Sequence, residues 1–194
     1  MKMNKIIFFS FVFLINSVIS FGMFIEDKII FWDDLSKCQK DSILNKVSIN
    51  SEAIDFYNGK FKFADNDKCI KLLNIITSEL DDENIVIFYF HIFNMICLNA
   101  DGASSEILGK YCQKIILNYP LHIITYFEKN KKVQICYANM LGYEFYFKEQ
   151  GTSDMKYNFN DFKNILIKDC ILSSKQSVLK MFFQEIENSM KNME

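Results

Sequence analysis

The sequence predicts an all-α protein, either an irregular helical bundle or a short solenoid of two-helix repeats, with about seven to eight helices. Three observations carry this expectation. One Pro and six Gly punctuate 194 residues, too sparse a set of breakers for a turn-dense β fold. Apolar residues recur at three- and four-residue spacing along most of the chain. Helix start signals stand just ahead of several of these stretches.

The elements follow in order. Weaker patterning predicts helices near 26–42 and 51–59. In 67–80, Cys69, Leu72, Leu73, Ile76 and Leu80 mark one helix face. Asp81-Asp82-Glu83 places carboxylates on the positive N-terminus of a helix over 82–98. Its segment Ile85–Leu98 is apolar nearly all round, interrupted by His91 and Asn94. It is too short to span a bilayer, which takes about twenty residues, so it belongs inside a helical assembly.

In 104–118 the stripe is Ile107, Leu108, Tyr111, Cys112, Ile115 and Ile116, with Glu106, Lys110, Gln113 and Lys114 opposite. Pro120 suits the first turn of a helix over 120–129. Val133, Cys136, Tyr137 and Met140 mark a helix over 132–148, and a weaker one is expected at 160–170. The last, 174–192, carries Leu179, Phe182, Phe183, Ile186 and Met190, with Ser173 and Gln176 reading as a capping box. Cys69-Ile-Lys-Leu-Leu resembles Cys112-Gln-Lys-Ile-Ile, at the period of about forty residues found in helical solenoids. Met155, Tyr157 and Phe159 alternate with polar residues, as do Phe61-Lys62-Phe63. A small β-ribbon could form there, although a loop fits the surrounding composition better.

Met1–Ser20 orders Lys2 and Lys5, then the apolar run Ile6–Ile15, then Asn16-Ser17-Val18-Ile19-Ser20. This is the layout of a cleaved secretory signal peptide, with Phe21 as the first mature residue. The expectation is a leader at 1–20, a single helical domain over 21–194, a periplasmic or secreted address, and no stable membrane anchor after cleavage. No Asn-x-Ser/Thr triplet occurs among the many Asn, which favours a periplasmic address over eukaryotic secretion.

Cys38, Cys69, Cys97, Cys112, Cys136 and Cys170 form an even set in a chain expected to be exported. Export predicts a disulfide-stapled body, with Cys97–Cys112 and Cys136–Cys170 as the preferred pairs. No two are spaced as C-x-x-C, so thioredoxin-like and zinc-knuckle motifs are absent.

Several chemistries lack support. All basic residues are Lys, and Arg is the usual tool for gripping phosphate and guanine edges. Loss of Lys2 and Lys5 makes the formal charge of −2 more negative still, which argues against nucleic acid. The two histidines, His91 and His122, form no H-E-x-x-H pattern. His91 and Asn94 share a helix face and could form a polar pocket, although a core histidine is the plainer reading. Glu144, among Tyr143, Phe145, Tyr146 and Phe147, is the acid whose neighbours could raise its pKa. Nothing points to a metal, a cofactor or catalytic residues.

The functional expectation is a helical protein that binds and inhibits another protein, in the manner of an immunity protein acting on a toxin or lytic enzyme. Its candidate contact residues are Asp81, Asp82, Glu83 and Asp154, with Tyr157 and Phe159 as aromatic anchors. The alternatives are a cell-wall glycan hydrolase using paired carboxylates and a structural accessory of the envelope.

Overall fold

The computed structural model describes residues 29–170 and 174–193, and all regular structure among them is helical. A short 3-10 turn at Trp32–Asp34 precedes α1 (Lys37–Leu44), α2 (Ser51–Tyr57), α3 (Asp67–Ile76) and α4 (Glu83–Asn99). The chain continues through α5 (Gly102–Glu106), α6 (Gly109–Asn118), α7 (Pro120–Lys129), α8 (Lys131–Glu149), α9 (Phe159–Asp169) and α10 (Gln176–Lys191). The expected leader at 1–20 lies outside the described residues. No helix of the described residues is long and apolar enough to cross a membrane.

Short polar side chains open many of these helices by accepting from free backbone N–H groups. Asn50, Asn66, Asp82 and Asn158 cap α2, α3, α4 and α9. Ser36 and Gln39 form a reciprocal box on α1. Pro120 stands at the first position of α7 as expected. The final helix starts later than the sequence suggests. Gln176 is its first residue, with Lys175 at the cap position, so Gln176 does not occupy the third position of a box.

Two expected helices are shorter or divided. The 67–80 stretch ends at Ile76, where the Thr77 hydroxyl donates to Leu73 O at 2.7 Å and the Ser78 hydroxyl to Ile75 O at 2.7 Å. Hydroxyls bonded back to the preceding turn compete with helix continuation. The 104–118 stretch divides into α5 and α6. No strand occurs at 61–63 or 155–159. Residues 61–63 and 155–158 are irregular and Phe159 opens α9; Phe61 lies on Phe56 at 5.6 Å and Phe159 on Phe145 at 5.4 Å.

Helix α4 buries Ile85, Phe88, Ile92, Phe93 and Ile96 and meets α1, α2, α3 and α8. Helix α8 packs most extensively on α10 and α6 and also touches α4, α5 and α7. The two helices join through a buried hydrogen bond, Tyr137 OH donating to Asn94 Oδ1 at 2.8 Å. Tyr137 is fully enclosed, edge-on to Phe93 and Phe127 at 5.5 and 5.2 Å. His91 instead stacks on Trp32 at 5.5 Å, so His91 and Asn94 make separate contacts and no shared pocket.

Glycine sets the spacing of the α6–α8–α10 layer. A Cβ on Gly109 would collide with the Glu144 side chain and stand 2.5 Å from Met140 O on α8. A Cβ on Gly142 of α8 would stand 2.5 Å from Ser189 Cβ and 3.0 Å from Ile186 O on α10. Both glycines therefore allow helix backbones to approach more closely than any side chain permits.

The cysteines correct the expected disulfide framework. All six are free thiols, including the expected pairs Cys97–Cys112 and Cys136–Cys170. All but Cys38 are buried or half-buried and pack as small apolar groups. Cys136 Sγ donates to Cys97 O at 3.0 Å. Cys112 Sγ lies 3.9 Å from Met140 Sδ, and Cys69 Sγ accepts from Ala64 N at 3.3 Å. Burial and the adjacent Cys112 hold the Cys97 thiol well above its ordinary pKa, and burial pushes Cys136 up to about 11. Cys38 is exposed.

His122 is wedged edge-on between Phe31 at 4.9 Å and Phe90 at 5.2 Å, and its Nε2 is buried without a hydrogen-bond partner. Burial pulls its pKa down to about 4.

Two predictions follow from this packing. Gly109→Ala should destabilise the protein by about 1–3 kcal/mol in urea unfolding through overpacking. Alanine normally improves a helix interior by about 1 kcal/mol, so unchanged or greater stability would refute the close approach. For His122, the folded pKa lies below the unfolded one, so the unfolded state binds the extra proton first as pH falls. The stability from neutral His122 is complete above about pH 6.5 and drains away towards pH 4, by about 3 kcal/mol. His122→Phe should flatten that part of the stability–pH curve, and an unaltered curve would contradict the burial described.

Candidate functional site

A groove of about 820 Å³ runs along α6, walled on one side by the loop 153–157. Pre-formed ligand sites generally measure about 300–1,000 Å³. Its floor and sides come from Tyr111, Leu117, Met155, Tyr157 and Ile165. Asn74 of α3, Asn118 of α6 and three lysines, Lys110, Lys114 and Lys156, surround them. Asp154 is the one carboxylate in the lining.

The loop wall is held by a side chain. Gln113 is buried, at 3% exposure, on what the helical pattern marks as the polar face of α6. Its Nε2 donates to Tyr157 O at 2.9 Å, and its Oε1 accepts from Tyr157 N at 3.1 Å. One carboxamide thus satisfies both backbone groups of Tyr157, as a neighbouring strand would. Gly109 lies one turn before Gln113, so the close α6–α8 contact and the loop clip share a helix face.

The start of the loop is fastened to α8. Ser153 OH donates to Glu144 Oε2 at 2.6 Å, and Ser153 Oγ accepts from Met155 N at 3.1 Å. Met155 is then driven into the core at 1% exposure. Glu144 therefore anchors the groove wall from behind.

Charge along the rim is mainly positive. Lys110 pairs with Asp154 at 3.3 Å, while Lys114 and Lys156 make no ion pair among the described residues. Lys156 lies over the Tyr157 ring at 4.8 Å, and Lys110 over the Tyr111 ring at 5.8 Å. Burial raises the Tyr111 pKa; Lys110 and a hydrogen bond with Asn74 oppose that rise. Tyr111 stays a neutral phenol that can donate or accept.

Of the expected contact residues, the structure brings Asp154 and Tyr157 together in this groove. Asp82 caps α4 through Asn84 N at 3.0 Å and pairs with Lys46 at 2.7 Å. The Lys46 hydrogen bond holds its carboxyl below the usual range. Asp81 and Glu83 are exposed beside it, outside the groove lining. Phe159 is a core residue at 6% exposure, packed on Phe145 and Phe183.

Gln113, Lys110, Lys114 and Lys156 went unassigned to any site in the sequence reading. Gln113 and Tyr157 are 44 positions apart, and no local spacing relates them. The described residues hold no group of His, Cys, Asp and Glu arranged for a metal ion.

Gln113→Ala should leave both Tyr157 backbone groups without their partner. The expected loss is about 2 kcal/mol in urea unfolding, with α-helical circular dichroism retained. A loss below about 0.5 kcal/mol, typical of a surface change, would show that the clip is absent. No protein-family model matches this sequence, and no curated protein or solved structure matches it significantly.

Proposed function

We propose that this chain is an exported helical protein that binds and inhibits another protein, as immunity proteins neutralise a toxin or lytic enzyme. The helices are read as an irregular bundle built around α4 and α8. The observation that supports binding is the clipped groove: a concave surface whose wall is set by Gln113, Ser153 and Glu144 before any partner arrives. Rigid pre-organised surfaces lose less freedom on association and so convert more contact into affinity. Half-buried Tyr157 and exposed Asp154 and Lys156 form its outer edge, a mixture of aromatic and charged groups suited to a partner surface.

Glycan hydrolysis requires two carboxylates facing one bond. The groove offers Asp154, which is tied to Lys110. The hydrolase alternative therefore draws no support from this site, and an envelope accessory remains the other reading.

Export would place the thiols in an oxidising compartment. Cys112 neighbours the Cys97 thiol, and joining the two there would staple α4 to α6. Material recovered from the periplasm should then lack the leader and be about 2 Da lighter than its reduced form.

The test is capture from periplasmic extract on the immobilised protein, followed by a binding measurement with the recovered partner. One stoichiometric partner is expected. Its affinity should fall by at least about tenfold on Tyr157→Ala, equivalent to 1.4 kcal/mol. No partner, combined with release of peptidoglycan fragments by the pure protein, would overturn the proposal in favour of the hydrolase.

A further inference from the structure

We infer that the groove receives an acidic, extended segment of a protein, with carboxylates on alternate residues and an aliphatic side chain between them. This rests on the binding reading above and specifies its chemistry.

The first argument is charge. The chain is net negative, yet the groove lining holds three lysines against one aspartate. Lys114 and Lys156 are exposed and make no ion pair among the described residues. The third, Lys110, is bridged to an Asp154 side chain that is 77% exposed. Such surface bridges contribute little and exchange readily, so an incoming carboxylate can take the place of Asp154 on Lys110. The groove thus concentrates positive potential on an otherwise acidic molecule, the condition for selective, steered binding of an anion.

The second argument is spacing. Lys110 and Lys114 stand one turn apart on α6, a rise of about 6 Å. Residues i and i+2 of an extended segment are about 6.6–6.8 Å apart and face the same side. Two alternate carboxylates therefore match the two lysines. The intervening side chain points away from the two lysines, and off α6 the groove is lined by half-buried Ile165 of α9 and Tyr157 of the loop.

The third argument concerns the competing anion. Nucleic acid presents phosphates and planar bases. It has no aliphatic branch to set against Leu117 and Ile165, and the chain lacks the Arg forks that grip phosphate bidentately. The shape and the charge together select an acidic peptide.

The experiment uses fluorescence anisotropy with the purified protein and a short fluorescein-labelled peptide of alternating Glu and Leu. Three comparison probes are a Gln/Leu peptide, a Glu/Ser peptide and single-stranded oligo-dT. The Glu/Leu peptide should bind, weaken with added salt, and exceed each comparison probe by at least about tenfold. Lys114→Gln combined with Lys156→Gln, both at exposed positions, should cost about tenfold or more, while Asp154→Asn should strengthen binding. Equal binding of the Gln/Leu peptide, equal or tighter binding of oligo-dT, or no binding of the Glu/Leu peptide would each overturn the inference. If a captured partner still depends on Tyr157 while the Glu/Leu peptide fails to bind, the acidic-segment inference falls and the binding reading stands. If the peptide binds as described and no partner is ever captured, the groove's selectivity for an acidic segment stands while the inhibitor reading falls.

Discussion

The C-terminal half of this protein depends on how closely α6 lies on α8. Two helices packed through ordinary side chains sit 8–10 Å apart. Here Gly109 removes the obstacle on one side, and α6 rests against Met140 and Glu144 of α8. On its other flank α8 offers Gly142 to Ser189 of α10. With α6 held so near, Gln113 is brought under the chain that leaves α8, and its carboxamide takes up the Tyr157 backbone. The groove follows from that contact: its floor is α6 and its wall is the loop that Gln113 holds.

The N-terminal half is organised by a different constraint. Helix α4 has almost no polar face, so it must be enclosed, and α1, α2, α3 and α8 surround it. Two of its polar side chains are accommodated within the enclosure: Asn94 meets Tyr137, and His91 lies against Trp32. The Asn94–Tyr137 bond is a fully buried polar link between the two halves, beside those that Tyr119 makes with Leu80 N and Ser78 O. A buried hydrogen bond of this kind contributes modestly when made and costs more when one partner is lost, so it favours one relative placement of α4 and α8. The three thiols Cys97, Cys112 and Cys136 lie along the same α4–α6–α8 seam.

Much of the architecture is legible in local pattern. The helix over 82–98 is announced by its carboxylates and its continuous apolar run, and the structure places α4 there. Pro120 opens a helix as proline at a first turn should. Local pattern fails where a tertiary contact decides. Thr77 and Ser78 end α3 early by bonding back to it, although Leu80 continues the apolar stripe. Gln113 reads as a solvated residue because only the loop, far along the chain, buries it. Phe159 reads as a loose aromatic beside Tyr157, yet Phe145 and Phe183 enclose it while Tyr157 remains at the groove edge. The cysteine pattern suggests bridges because it records expected compartment and parity, whereas pairing depends on geometry between helices. Half of the candidate site was visible as Asp154 and Tyr157. Lys110 and Lys114 opposite them were not, since their convergence with the loop depends on the α6–loop contact.

The measurement that tests this account most directly is native-state hydrogen exchange at the Tyr157 backbone amide. If the Gln113 carboxamide holds the loop as a standing wall, that amide exchanges far more slowly than the same amide in an unstructured chain, with no partner present. Exchange at the rate of an unstructured chain would contradict it, and the groove would then not exist until something bound.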